Sequence, residues 1–206
     1  DTLMANLLGE RAWLLARIGS ERGLRTFRNG LAKAMGCKPD DTAGALTSAG
    51  CADGAFDGEA LRAAVEALMR GTPTDKERAQ LIADWLAGDR EQLLPDYRRA
   101  YFTGQGSIRA NLATQAVRRS MPGIVDVLQT EAERLLQLGE RIAGAALVER
   151  TVALLRLGID ITERFGRLKQ RRGALDYDDL IIATRRLLET SERASWVLYK
   201  LDGGID

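Results

Sequence analysis

The feature that most constrains this chain is a long apolar stripe in its second half. Leu128, Leu135, Leu138, Ile142, Val152, Leu155 and Ile159 recur at helical, in places near-heptad, spacing. A continuous helix over Ile124–Arg171 would be ~70 Å long at 1.5 Å per residue. Gly139 and Gly144 interrupt the stripe, and glycine weakens a helix interior. A break or bend near them is therefore expected. The rest of the chain agrees with helix. Only 4 of 206 residues are proline and 5% are aromatic, while Ala, Leu, Arg and Glu, all good helix formers, dominate. The predicted class is mainly α, with several helices, one long helix and a small β-hairpin or irregular loop.

Punctuation sets the other elements. A helix is predicted over residues 3–18, broken at Gly19-Ser20. Ser20 caps a second helix running to about Met35. Residues 37–56, with several glycines and Pro39, read as loop with a short helix near Ala43–Leu46. Asp57 or Gly58 opens a third helix to Arg70. The stretch "GTPTDKE" is a clean start signal, with Thr72 as cap and Pro73 at the first helical position, and its helix ends at Gly88. A fifth covers Arg90–Tyr101, bent at Pro95. "YFTGQGSIRANLATQ" has glycines inside a β-tolerant run and supplies the hairpin or loop. Gly173 ends the long helix, Asp176 caps the next, and a last short helix spans about 192–201.

Several chemistries are excluded by residue content. Histidine is absent, which removes Ser-His-Asp triads, the usual zinc-hydrolase motifs and the neutral-pH proton shuttle. No Gly-x-x-x-x-Gly-Lys-Ser/Thr occurs, and Gly104-Gln105-Gly106 is not a complete dinucleotide fingerprint. No apolar run reaches the roughly 20 residues of a membrane span. Cys37 and Cys51 read as a reduced pair, in keeping with a cytoplasmic protein.

The net charge is +1 but uneven: residues 1–94 carry 12 basic and 14 acidic side chains, and residues 95–206 carry 18 and 15. Two clusters stand out, Arg98, Arg99, Arg109, Arg118, Arg119 and Arg164, Arg167, Lys169, Arg171, Arg172. They suit phosphate neutralisation. On charge alone a solvated helix face laced with ion pairs is the favoured account of them. Tyr97, Tyr101 and Phe102 lie near the first cluster, where aromatic rings could stack on bases. Asp176, Asp178 and Asp179 could hold Mg²⁺, but capping and first-turn charge account for them without a metal. Trp13, Trp85 and Trp196 are expected to be packing residues.

"RFGRLKQRRGALDYDDLI" resembles the segment of UvrD/Rep-like superfamily 1 DNA helicases that leads into the Walker B strand. "WVLYKLDGGID" and "YFTGQGSIRANLATQAVRRSMP" are similar to the AddA-type helicase–nucleases of bacterial double-strand break repair. The likeness covers about residues 95–206. It implies a piece of a longer protein that stops just before Walker B, which would explain the closing Gly203-Gly204 turn and the missing initiator Met. It implies the 1B insertion of the first motor domain: residues 1–94 a helical subregion, 95–172 a basic loop plus the long helix, and 173–206 the helices returning to the motor core. It further implies DNA and a partner subunit as binding partners, ATP and Mg²⁺ as cofactors of the parent but not of this piece, and no ATPase activity in the piece alone. Arg109, Arg118, Arg119, Lys169, Arg171 and Arg172 are the predicted DNA contacts. Asp176, Tyr177, Asp178 and Asp179 form the family-like motif, with a capping role. The competing reading is a helical module that docks the partner subunit.

Overall fold

The computed structural model describes residues 2–190, 199 and 200. The predicted helix near 192–201, Trp196 and the closing glycine turn lie outside those residues, apart from positions 199 and 200. The fold is mainly α, as expected. Among the described residues there are ten helices: α1 Thr2–Gly9, α2 Arg11–Ile18, α3 Glu21–Ala34, α4 Ala43–Cys51, α5 Gly58–Met69, α6 Pro73–Ala87, α7 Arg90–Arg99, α8 Gln115–Ser120, α9 Ile124–Arg171 and α10 Tyr177–Thr190. The chain divides into two compact units, residues 31–149 and residues 1–30 with 150–206. None of the described helices is long and apolar enough to cross a membrane.

In the unit of residues 31–149, α5 packs on α6 and α6 on α7. Leu61, Ala64 and Leu68 sit at i, i+3 and i+7 and give α5 its buried face. Thr72 and Asp75 form a reciprocal capping box at the start of α6, with Pro73 in the first turn. The centre is aromatic. Trp85 stacks on Tyr97, ring centres 3.9 Å apart and planes 5° from parallel. Tyr97 meets Tyr101 edge-on. The Tyr97 hydroxyl donates to Glu131 at 2.7 Å, whose carboxylate also receives two 2.7 Å bonds from Arg134. Burial, foremost, drives the Tyr97 hydroxyl's pKa far above the ordinary tyrosine value, so it stays protonated and donating.

The expected break in the long helix does not occur: α9 runs 48 residues without interruption. Its glycines serve close approach instead. A Cβ on Gly139 would lie 2.6 Å from the guanidinium of Arg98, which crosses the helix there to donate to the Leu135 carbonyl at 2.7 Å. A Cβ on Gly144 would lie 3.0 Å from both the Met35 carbonyl and the Cys37 sulfur. Tight packing at both points holds the helix where propensity alone would loosen it.

Other departures have local causes. The first predicted helix is two, parted at Glu10, whose φ of −91° and ψ of 5° leave the helical region. The helix near Ala43 extends to Cys51, capped by Thr42 through Ala45 N–H. The expected hairpin reduces to one antiparallel bridge, Phe102 with Ile108. Trp85 is fully buried, but Trp13 is 56% exposed. Arg11, Leu14 and Ile18 occupy the inward side of α2, which leaves position 13 facing out.

Candidate nucleic-acid interface

Within residues 31–149 the site begins at the first turn of α6. Asp75 is buried and accepts from the backbone and hydroxyl of Thr72 at 3.0 and 2.8 Å. It also accepts from the backbone and hydroxyl of Thr114 at 3.2 and 2.7 Å. Burial is the largest influence on this carboxyl and pushes its pKa up, but the hydrogen bonds of Thr114 and Thr72 together outweigh it, and the net shift is downward. One turn on, Arg78 is also buried, 3.8 Å from Asp75. It donates to the carbonyls of Ala100 at 2.9 Å, Leu112 at 2.5 Å and Asn111 at 3.3 Å. Two charges on one helix thus hold both ends of the 100–114 segment.

That segment presents the predicted arginines. Thr103 N–H bonds Ser107 O at 2.8 Å and Arg109 N–H bonds Tyr101 O at 2.8 Å. Gly106, at φ 82°, supplies the left-handed residue that the tight loop requires. Arg109 is exposed and anchored through Nε to the Arg99 carbonyl at 3.3 Å. Arg118, exposed on α8, is anchored to the Ala113 carbonyl at 2.9 Å and to the Asn111 side chain at 3.2 Å. Arg119 is exposed beside it. None of the ion pairs among the described residues involves these three arginines. Carbonyl anchors orient a guanidinium without cancelling its charge. Two adjoining depressions share Thr74 and Arg78; Arg99 and Arg109 flank one, and Arg118 the other. Glu77 is the acidic residue on the first.

The neighbouring aromatics do not offer a stacking platform. Tyr97, Tyr101 and Phe102 are at most 5% exposed, because the core takes all three rings. These three rings are therefore not available to stack on bases.

Lys169, Arg171 and Arg172 belong to the other unit, and the structure treats them differently. The end of α9 is a Schellman turn: Ala174 N–H bonds Lys169 O at 3.0 Å and Gly173 N–H bonds Gln170 O at 3.1 Å, with Gly173 at φ 62°. Arg171 and Arg172 are exposed. Lys169 instead binds Asp176, at 2.9 Å, and Asp179, and its side chain is 12% exposed. A phosphate would reach that ammonium only by displacing two carboxylates.

Asp176 caps α10, accepting from Asp179 N–H at 3.1 Å, while Asp179 accepts from Asp176 N–H at 3.0 Å. Buried Arg11 binds Asp176, and also Asp178 and Asp179 at 3.2 Å each. Two cations thus face three carboxylates, and among the described residues no acidic, cysteine or histidine cluster is arranged to hold a metal. Tyr177 points to solvent. Arg11 lies 165 positions from Asp176, and nothing in its local sequence marks it as the partner.

The Lys169 hydrogen bond, foremost, and Arg11 hold the Asp176 carboxyl well below the usual carboxylate range. A depressed pKa contributes stability that is present above the unfolded value, about 3.9, and is lost as pH falls beneath it. Asp176→Ala is expected to lower stability by about 0.5–2 kcal/mol through the lost cap. Asp176→Asn keeps a capping oxygen but loses the charge. Its deficit in urea midpoint at pH 7 should shrink as pH drops below ~4. A deficit that does not change with pH would assign the whole effect to the cap.

No protein-family model, curated protein or solved structure matches the chain.

Proposed function

We propose that this chain is a DNA-contacting accessory region, of the 1B type, in a cytoplasmic ATP-dependent helicase–nuclease of bacterial double-strand break repair. The observation that carries the reading is the trio Arg109, Arg118 and Arg119: exposed, oriented by backbone carbonyls or adjacent in sequence to one that is, and without a carboxylate partner among the described residues. Such groups exchange condensed counterions for phosphate contacts. They would hold the duplex without reading its sequence, while segments this chain does not carry bind ATP and Mg²⁺ and do the work of unwinding. The sequence likeness supplies the family, and the partner subunit enters on the same ground.

The test is a fluorescence anisotropy titration with a labelled duplex at several salt concentrations. Binding on the order of 10⁻⁴–10⁻⁶ M is expected, weakening as salt rises with a log–log slope of about 0.9 per phosphate neutralised. Arg118→Glu with Arg119→Glu should reduce affinity and slope together, and Arg171→Glu with Arg172→Glu should act likewise. Arg62→Glu with Arg70→Glu, also exposed, should do little. Binding indifferent to salt, or none at low salt, would reject the reading.

A further inference from the structure

We propose that the outward face of α9 between Arg150 and Arg171 docks an amphipathic, acidic α-helix of a partner protein. This part of α9 lies in the unit of residues 1–30 and 150–206 and carries two apolar stripes. One is used internally. Val152, Gly158 and Thr162 are buried, and a Cβ on Gly158 would lie 3.3 Å from Leu7 and 3.7 Å from Leu14. The other faces out. Leu154, Ile161 and Leu168 follow one another at seven-residue intervals, and seven residues drift by only ~20° on an α-helix, so the three share one stripe. Leu157 lies one turn beside Leu154. Leu154 is 66%, Leu157 56% and Leu168 46% exposed, and Ile161 between them is half-buried.

The repeat selects the shape of the occupant. A stripe repeating every seven residues is the spacing at which a second helix stays in register. The flank selects its charge. Arg150, Arg164 and Arg171 lie on or beside the stripe, with Arg156 and Arg167 farther round. The acidic residues of the segment are Asp160 and Glu163, and Glu163 is already 3.5 Å from Arg167. A helix with leucine-type residues in its seam and Asp or Glu beside them complements both features. A second copy of this chain would set arginine against arginine. A nucleic acid backbone has nothing to cover the leucines. The inference does not depend on the DNA reading, which is carried by Arg109, Arg118 and Arg119 in the other unit; the two share Arg171, so the test leaves that residue unchanged.

The full chain can be titrated with a labelled three-heptad helical peptide carrying Leu in its seam and Glu beside it, and with a twin carrying Lys in place of Glu. Saturable binding of the acidic peptide is expected, with the lysine twin at least about tenfold weaker. Leu154→Glu with Leu157→Glu should weaken the acidic peptide by about tenfold or more. So should Arg150→Glu with Arg164→Glu, at exposed positions where circular dichroism checks the fold. Equal affinity for the twins, or indifference to both double variants, would overturn the proposal. Self-association abolished by Leu154→Glu would overturn it in favour of a second copy. Loss of duplex binding in Leu154→Glu with Leu157→Glu would overturn it in favour of nucleic acid. Unchanged duplex binding in that variant, alongside lost peptide binding, supports it and leaves the DNA reading to its own test.

Discussion

Arg78→Ala is expected to destabilise the unit of residues 31–149 by about 3–5 kcal/mol. The guanidinium is 7% exposed and binds three carbonyls drawn from two stretches of chain. Alanine leaves those carbonyls short of a donor and leaves Asp75 buried without the cation 3.8 Å away. Unmade hydrogen bonds to buried groups cost more than made ones contribute. Burial, foremost, already lowers the Arg78 pKa, with Asp75 opposing that shift, so the charge is tolerated there only because it is surrounded by acceptors. Arg99→Ala, whose side chain is 66% exposed, is the control and should stay within about 0.5 kcal/mol of the parent. Urea unfolding followed by far-ultraviolet circular dichroism gives both values. An Arg78→Ala loss no larger than that of Arg99→Ala would show that the 100–114 segment does not depend on the clamp. If the clamp does hold it, Arg78→Ala should also weaken duplex binding, since the segment carries Arg109 and leads into Arg118.

Trp85→Ala should cost a similar amount, about 3–5 kcal/mol, as a large-to-small change in a packed core. The indole is fully buried, stacked on Tyr97 and tilted against Phe56, and its Nε1–H donates to the Arg90 carbonyl at 2.9 Å. Removing it opens a cavity and takes the stronger donor from that carbonyl at the start of α7, which keeps the Cys51 thiol at 3.6 Å. Trp85→Phe retains most of the stacking and loses the hydrogen bond, so its smaller deficit separates the two contributions. Equal deficits for the two variants would point to the bond rather than the ring.

The helices were legible because their signals are local. Thr72, Pro73 and Asp75 announce the start of α6 within four residues, and Gly173 announces the end of α9. The glycines of α9 misled for the same reason. Propensity counts what Gly139 and Gly144 lack, whereas the structure uses that lack to seat Arg98 and the Met35–Cys37 turn, which are distant in sequence. Tyr97, Tyr101 and Phe102 sit beside arginines in the sequence, but the core buries all three rings, and the one that meets an arginine, Phe102, lies 4.7 Å beneath Arg98, away from solvent. The candidate DNA contacts were chosen by charge and by the resemblance, and charge does not show who the partner is. Lys169 is matched by Asp176 and Asp179, whereas Arg109 and Arg118 are matched by carbonyls. Arg11 and Arg78 carried no mark at all, because each acts on groups that folding brings to it.

The two thiols give the protein a built-in reporter. Cys37 and Cys51 are both free and buried, and the burial of Cys51 raises its pKa, so neither sulfur reacts readily while the fold is closed. Both belong to residues 31–149, and the sequence holds no other cysteine. The rate at which a thiol reagent consumes them in native buffer therefore times the opening of that unit alone, with no label introduced, while the unit carrying the Arg11 and Asp176 network remains silent to the same reagent.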